Sequence, residues 1–125
     1  MIVGVGVDSV AIARLEELLA AQGERLWRRL CTDAEAAYCR SRARPAESLA
    51  ARFAAKEAAM KCLRTGWAEG VGFRDVEVVR AESGAVSLQL HGAAAACAAA
   101  LGVARWHVSL THTDTDATAF VIAEA

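Results

Sequence analysis

The first half of the chain begins with a short apolar strand and continues with helical stretches. Isoleucine and valine alternate with glycine from Ile2 to Val7, and the run ends at Asp8, which predicts a strand whose carboxyl end presents an acid. Leucines then recur at helical spacing, with Ser9 as the expected cap of the first helix and Gly23 as its end. The apolar positions of the first two helical pieces are Ile12, Leu15, Leu18, Leu19, Leu26, Trp27 and Leu30.

Two further helices are predicted before the middle of the chain. Thr32 and Glu35 have the spacing of a capping box, in which each side chain satisfies a free amide at the start of a helix. Pro45 marks a break. The longest helix is expected to run from about Ala46 to Leu63 and to end at Thr65-Gly66.

The second half changes to strand-like patterning. Residues Phe73 to Arg80 and Val86 to Leu90 alternate with period two on either side of a glycine-containing turn, which predicts a hairpin. The alanine-rich stretch from Gly92 to Leu101 is helical, and Trp106 to Thr111 with Thr118 to Ile122 predicts a final hairpin. This order of elements favours an α+β fold, with an antiparallel sheet packed against the long helix.

The long helix carries charged residues on the apolar stripe that is expected to be buried. At about 100° per residue, Phe53 and Met60 share a stripe with Leu49, while Lys56 falls inside that stripe and Glu57 at its rim. Two interpretations are open. The lysine could extend past the stripe to solvent, or the charges could line a cleft that opens beside the core.

Composition limits the class of protein. A length of 125 residues predicts one domain, residues 1–125, large enough for a proper core. The formal net charge of −1 gives no global attraction to nucleic acid. Arginines concentrate in the first half, which fits either a basic face for an acidic partner or an ordinary solvated surface. They are Arg25, Arg28, Arg29, Arg40, Arg42, Arg44 and Arg52.

Cysteine spacing and the amino-terminal segment indicate the compartment. No pair of the four cysteines has CxxC spacing, so reduced thiols are favoured over a metal site. The opening MIVGVGVDSV has no basic leader, and its apolar run is too short for a signal peptide. No apolar run approaches the roughly 20 residues of a membrane span. We therefore expect a soluble, cytoplasmic protein without membrane association.

A few polar residues suggest chemistry. Asp8 and Glu57 are hard oxygen ligands suited to Mg²⁺, and the lysines beside Glu57 suit a phosphate or diphosphate. Glu57 and Lys61 are four residues apart, which also fits a routine surface ion pair. The strand at 106–111 places His107 and two hydroxyls on one face. That face could contact phosphate oxygens, or it could be the exposed side of an antiparallel sheet.

Three separated segments resemble the holo-acyl-carrier-protein synthase family, the small bacterial 4′-phosphopantetheinyl transferases. GVGVDSV near the amino terminus resembles the family opening G-[IV]-G-x-D. RFAAKEAAMKC, followed by Leu63-Arg64-Thr65-Gly66, resembles the segment RFAAKEA…K-A-[LF]-G-T-G. HVSLTHT near the carboxyl terminus resembles the closing H-V-S-[IL]-[ST]-H-[TD]. The order and separations match over essentially the whole chain.

The resemblance implies an activity and an assembly. Such enzymes transfer 4′-phosphopantetheine from coenzyme A to a serine of apo-acyl carrier protein and release adenosine 3′,5′-bisphosphate, in fatty acid or polyketide biosynthesis. They form homotrimers with active sites between subunits. The family's Mg²⁺ positions fall on Asp8 and Glu57, and Lys61 is expected near the diphosphate, which makes these three the implied catalytic residues. The implied coenzyme A contacts are Arg52, Lys56, Thr65, Gly66 and His107, and the implied carrier contacts are Arg14, Arg25 and Arg29.

The chain departs from the family pattern at three places. Arg64 stands where the first glycine of G-T-G is common, Ala85-Val86 replaces a basic residue and proline, and Asp116 lies near a position that is commonly aromatic. Two alternatives to the transferase are a non-catalytic module that binds carrier or coenzyme A, and a generic Mg²⁺-dependent nucleotide hydrolase. The sequence leaves open the preferred carrier and whether Glu57 or a metal-linked water accepts the serine proton.

Overall fold

Within residues 1–64 and 70–125, which are the residues described, the computed structural model contains five helices and five strands. The helices are α1 (Ile12–Gln22), α2 (Glu24–Leu30), α3 (Asp33–Arg40), α4 (Pro45–Leu63) and α5 (Gly92–Ala100). The strands are β1 (Ile2–Ala11), β2 (Val76–Arg80), β3 (Val86–Leu90), β4 (Arg105–His112) and β5 (Asp116–Glu124). A 3₁₀ turn at Phe73–Asp75 precedes β2. The predicted α+β class, with antiparallel sheets and a long helix, is confirmed.

The larger sheet has one face against the long helix and one face open. Its strand order is β1-β5-β4, and both pairings are antiparallel. The inward residues of β5 are small or β-branched and fully buried, which lets α4 lie close to the sheet. The outward residues Val5, Val7 and Phe120 are 52%, 52% and 41% exposed. The inward residues of β5 are Ala117, Ala119, Val121 and Ala123.

Two glycines allow β1 to approach α4 directly. A Cβ atom on Gly6 would overlap the carbonyl oxygen of Ala58, and one on Gly4 would lie 2.9 Å from the carbonyl oxygen of Cys62. Only glycine leaves room for the helix backbone at these two positions. The alternation of glycine with valine in the first strand is therefore a packing requirement of the strand–helix interface.

The predicted end of the first strand was wrong. β1 continues to Ala11 because β5 stays paired with it as far as Asp116, so Asp8 lies inside the strand opposite Ala119. Ser9 does not cap α1, since its Oγ bonds Thr118 Oγ1 at 2.8 Å across the sheet. The helix instead begins after Ala11 without a side-chain cap.

Most other boundaries follow the local signals. Gly23 ends α1 with a positive φ of 55°, and the capping box at Thr32 and Glu35 is present. The expected strand at Phe73 begins later, at Val76. The preceding residues form a 3₁₀ turn because the carboxylate of Asp75 accepts a hydrogen bond from its own turn, at the amide of Gly72.

The cysteines belong to the core. Cys31, Cys39 and Cys62 are buried, and no disulfide joins the four cysteines, all of which lie among the described residues. Burial raises the pKa of Cys31 to about 12 and that of Cys39 to about 11. The prediction of reduced thiols is thus confirmed. Along the described part of the chain, no helix combines the length and apolar character needed to cross a membrane.

Candidate active site

Asp8 and Glu57 lie on facing surfaces of β1 and α4. Gly6 meets Ala58, and Gly4 meets Cys62 one turn further along the helix. Two strand residues span about 6.8 Å and four helical residues about 6.0 Å, so this register carries Asp8 to the turn of α4 that contains Glu57. Both side chains are only partly buried. The carboxylates predicted from separate motifs therefore share one strand–helix interface.

Lys61 bridges the same two elements. Its Nζ donates to the carbonyl oxygen of Val7 at 2.7 Å and lies 3.4 Å from Asp8 Oδ1. Its side chain is 55% exposed, whereas that of Asp8 is 23% exposed. Glu57 precedes Lys61 by four residues and so shares its face of the helix. The ammonium group consequently stands at the open edge of the acidic pair, accessible to a ligand.

Lys56 neither reaches solvent nor lines a cleft, so both interpretations of its place in the helical stripe were wrong. Its side chain is fully buried, and its Nζ donates to Glu35 Oε1 at 2.8 Å and to the carbonyl oxygens of Phe73 and Val76. An ammonium group has three donors, and all three are occupied. The helical stripe accommodates the charge because Glu35, also buried, neutralises it. No donor is left for the direct coenzyme A contact that the motif implied.

Arg52 belongs to a cluster of arginines around Tyr38. The guanidinium carbon of Arg52 lies 4.6 Å from the ring centroid, and those of Arg42 and Arg80 each lie 5.4 Å away. Arg52 is 4% exposed, and its Nε has no hydrogen-bond partner among the described residues. Within that part of the chain, no carboxylate forms an ion pair with any of the three arginines.

A cavity of about 410 Å³ opens beside this cluster. Its lining holds three guanidinium groups and one carboxylate, that of Glu47, so the wall is positive on balance. Thr111 of β4 contributes a hydroxyl group, and His112 contributes an imidazole whose Nε2 lies 3.3 Å from Glu47 Oε1. The cavity therefore has the charge and donor set of an anion site, in which phosphate is a favoured ligand.

His107 lies on the open face of the sheet. Its Nε2 is 3.0 Å from Glu124 Oε1, which accepts the hydrogen bond. That bond, with the charge of Arg105, lowers the pKa of the Glu124 carboxyl. The alternation predicted for this strand is confirmed, since His107 is exposed while Trp106 is half-buried. Within one chain the sheet separates His107 from Asp8, which lies on the inward face.

The predicted carrier contacts lie on and after the first helix. The guanidinium carbon of Arg14 sits 5.4 Å from the centroid of the Phe53 ring. Arg25 and Arg29, with Gln22, line an open concavity of about 430 Å³. These arginines carry no ion pair to an acidic side chain in residues 1–64 or 70–125. A basic face is thus present at the predicted place.

The loop after α4 is described only in part. Thr65 and Gly66, both predicted to contact coenzyme A, lie outside the described residues. Arg64 ends α4 in the left-handed conformation, with a φ of 65°, and its guanidinium donates to the carbonyl oxygen of Val3 at 2.7 Å. Arginine therefore adopts here a backbone conformation that favours glycine, and its side chain is held by β1.

Several residues of these sites were not found from the sequence. Glu35 was recognised only as half of a capping box, and its second role needs the position of α4. Tyr38 and Arg80 gave no pattern of their own. An aromatic ring in an arginine-rich stretch is a weak signal for cation–π stacking, and it could have drawn attention to Tyr38.

The donor set can be compared with the needs of a metal ion. Among the described residues there is no cluster of three or more metal-ligating side chains. Mg²⁺ needs fewer, because it commonly keeps water ligands and takes one or two carboxylates together with substrate phosphates. Asp8, half-buried beside the Lys61 ammonium, and Glu57 on the facing helix fit that pattern.

Comparison with known proteins agrees with this geometry. The family model for the 4′-phosphopantetheinyl transferase superfamily matches residues 4–121. A holo-[acyl-carrier-protein] synthase of Koribacter versatilis is 45% identical over 124 residues, which cover 99% of each chain.

Solved structures are similar over the same extent. The holo-[acyl-carrier-protein] synthase of Neisseria meningitidis has a TM-score of 0.91 and 30% identity, with all of both chains covered. That of Bacillus anthracis, in complex with CoA (3′,5′-ADP), has a TM-score of 0.82 and 31% identity, covering 100% of this chain and 98% of the other. The resemblance found in the three sequence motifs is confirmed: the chain belongs to the 4′-phosphopantetheinyl transferase superfamily.

Proposed function

We propose that this protein is a holo-[acyl-carrier-protein] synthase. It transfers 4′-phosphopantetheine from coenzyme A to a serine of apo-acyl carrier protein and releases adenosine 3′,5′-bisphosphate. The observation that carries the proposal is the meeting of Asp8 and Lys61 across β1 and α4, with Glu57 on the same helix face. A pure binding module has no need of two carboxylates and a lysine at one open edge.

The reaction requires control of charge on the diphosphate. The serine oxygen forms a bond to the phosphorus that carries the pantetheine arm, and the bond from that phosphorus to the bridging oxygen breaks. The electron pair leaves with adenosine 3′,5′-bisphosphate, so negative charge grows on the departing phosphate. Lys61 is exposed at the edge of the site and stabilises that charge as a compact cation.

Mg²⁺ fits as the metal of the site. Asp8 and Glu57 would hold it, and when bound it supplies Lewis-acid stabilisation of the diphosphate oxygens. Lys61 Nζ lies 3.4 Å from Asp8 Oδ1, beside the carboxylates that would hold the metal.

The serine proton needs an acceptor within hydrogen-bond reach. Glu57 is the favoured group, because it is partly buried and lies one helical turn before Lys61, whose Nζ is 3.4 Å from Asp8 Oδ1. A water molecule beside the carboxylates is the alternative. The phosphodiester between the serine and the pantetheine arm forms as that proton leaves the attacking oxygen.

The arginine cavity is proposed to bind the phosphate monoester of coenzyme A. Arg52 has a buried Nε without a partner among the described residues, and Arg42 and Arg80 flank it around Tyr38. A dianionic phosphate would satisfy these donors through charge-assisted hydrogen bonds. Dephospho-coenzyme A lacks that group, so we expect it to bind the wild-type protein weakly. Its affinity should not change further in Arg52→Gln.

A homotrimer is proposed as the active assembly. Arg52 and Lys61 are nine residues apart on α4, about 13.5 Å along the axis, so the arginine cavity and the acidic pair lie at separate places on one chain. The open sheet face, with Val7 and Phe120 exposed, supplies apolar surface for self-association. His107 lies on that face and would reach coenzyme A in a neighbouring subunit.

The carrier protein is proposed to dock on Arg14 of α1 and on Arg25 and Arg29 of α2. Arg25 and Arg29 line an open concavity without acidic partners among the described residues. Such a surface suits an acidic helix that presents the target serine. A cytoplasmic location and a role in fatty acid or polyketide biosynthesis remain predictions from the sequence.

A mass assay tests the proposal. The protein is incubated with coenzyme A, Mg²⁺ and a panel of apo-carrier proteins, and each carrier is weighed by mass spectrometry. Addition of phosphopantetheine to the carrier serine supports the transferase and ranks the carriers. Hydrolysis of coenzyme A without any adduct would support the nucleotide hydrolase instead. Carrier or coenzyme A binding without turnover would support a non-catalytic module.

A further inference from the structure

The buried ion pair between Glu35 and Lys56 joins three separate elements. Glu35 is on α3, Lys56 is on α4, and each side chain is 1% exposed. Glu35 Oε2 accepts from the backbone amide of Val78 on β2, and Lys56 Nζ donates to the carbonyl oxygen of Val76 at the start of the same strand. Two charges so deeply buried are stable only while both partners and their hydrogen bonds remain in place.

The same three elements carry Tyr38, Arg52 and Arg80, which line the arginine cavity. Tyr38 on α3 follows Glu35 by three residues, and Arg52 on α4 precedes Lys56 by four, so each pair shares one helix face. Arg80 on β2 follows Val78 by two residues and shares its face of the strand. Glu35, Lys56 and Val78 are thus each one helical turn or one strand repeat from a residue of the cluster.

A second cavity links the two groups directly. Its volume is about 150 Å³, and its lining includes Glu35, Tyr38, Arg52, Val78 and Arg80. The ion pair and the arginine cluster therefore lie on adjoining surfaces, so a shift of α3 or α4 at the pair would be transmitted to the guanidinium groups.

We propose that Glu35 and Lys56 are positioning residues for coenzyme A binding, which set the spacing of the arginine cluster without touching the ligand. This inference rests on the proposed function. It reassigns Lys56, whose three donors are all taken by the protein. It also gives Glu35 a role that neither motif nor capping box indicated.

Four variants test the inference. Glu35→Gln and Lys56→Met each leave one buried group unpaired, whereas the double variant removes both charges. Arg40→Gln, which breaks the exposed pair with Glu24, is the control. Each protein is studied well below its own unfolding temperature. The measurements are KM and kcat for coenzyme A, KM for the carrier, and calorimetric binding of 3′,5′-ADP.

The expected result is selective for the nucleotide. We expect each single variant and the double variant to raise KM for coenzyme A about tenfold. Binding of 3′,5′-ADP should weaken by about the same factor, since a small displacement of the binding groups is enough. The KM for the carrier should change little. The double variant should lose no more affinity for coenzyme A than either single variant does. The control behaves as wild type. If the double variant does not fold, Glu35→Leu with Lys56→Met replaces it, because an apolar pair is tolerated at such sites.

Two outcomes overturn the inference. Normal coenzyme A and 3′,5′-ADP affinities in a stably folded double variant would make the pair purely structural. A loss confined to Lys56→Met, with Glu35→Gln unaffected, would mean that the lysine touches the ligand itself. Failure of the proposed function is a different observation, namely that the wild type adds no phosphopantetheine to any carrier.

Discussion

Lys61 and Asp8 face each other across the seam between α4 and β1, with 3.4 Å between Nζ and Oδ1. The lysine also donates to the carbonyl oxygen of Val7, so strand and helix are joined at the point where Asp8 leaves the backbone. An exposed pair of this kind adds under about 1 kcal/mol to stability. Its significance is that it places a cation beside an acid at an open edge.

The two carboxylates give the first prediction. Asp8→Asn and Glu57→Gln keep the size of each side chain and remove its charge, so transfer is expected to fall by roughly 10²-fold or more because the metal and the developing charge lose a partner. Steady-state transfer at limiting and saturating Mg²⁺ measures the effect. Glu82→Gln, on an exposed turn, is the control. Near-normal rates in both variants at limiting Mg²⁺ would contradict the metal assignment.

The basic face gives a second prediction. Charge reversal by Arg25→Glu is expected to raise carrier KM roughly tenfold at low salt and to leave coenzyme A KM unchanged, because surface charges mainly steer association. The defect should shrink at high salt, where screening weakens the attraction in wild type as well. Arg40→Glu makes the same change of charge on α3. Equal losses in the two variants would mean that Arg25 is ordinary solvated surface.

Assembly is the third prediction. Val7→Lys and Phe120→Lys each place a charge on the open sheet face, where both residues are largely exposed in one chain. Light scattering is expected to show three chains in the wild type and one chain in these variants, with transfer lost in parallel. Ala96→Lys on the exposed side of α5 should change neither property. A wild-type monomer that is stable and active at micromolar concentration would rule out the trimer.

Arg64 gives a fourth prediction, on stability. Its φ of 65° costs an ordinary residue about 1 kcal/mol relative to glycine. Arg64→Ala and Arg64→Gly both lose the hydrogen bond to Val3, so comparing them isolates the backbone term. The glycine variant should be more stable by about that amount in urea unfolding. Equal stabilities would show that the helix end relaxes to another conformation in solution.

The carboxyl of Glu77 gives the fifth prediction. Burial raises its pKa, but hydrogen bonds from His91 and Thr32 outweigh burial and hold the pKa below the ordinary value of 4.5. A lowered pKa in the folded state adds stability above pH 4.5, and this stability is lost as the pH falls through the folded value.

Glu77→Gln is therefore expected to lower the free energy of unfolding near neutral pH and to matter less in acid. Urea unfolding of both proteins at pH 6 and pH 3 measures the two differences. Glu17→Gln on the exposed side of α1 is the control and should have a small effect at both values. A difference between wild type and Glu77→Gln that stays constant across this range would contradict the assignment.

Residues close together in the sequence predicted the helices and strands. The length of β1 and the partner of Lys56 depend on residues far away in the sequence. The capping box at Thr32 and the stop at Gly23 depend on neighbouring residues, so the sequence alone identified them. The length of β1 depends on how far β5 runs beside it, which no pattern near Asp8 could reveal. The helical stripe showed that Lys56 was out of place, but its partner is 21 residues away on another helix.

The buried thiols of Cys31 and Cys39 can report transient opening of the core. Both sit close enough to Glu35 and Lys56 for those charges to act on them, and their raised pKa keeps them as unreactive thiols. A thiol reagent can therefore modify them only when this part of the molecule opens. The rate at which the reagent labels each of these two native thiols would report how often the interior around the ion pair opens.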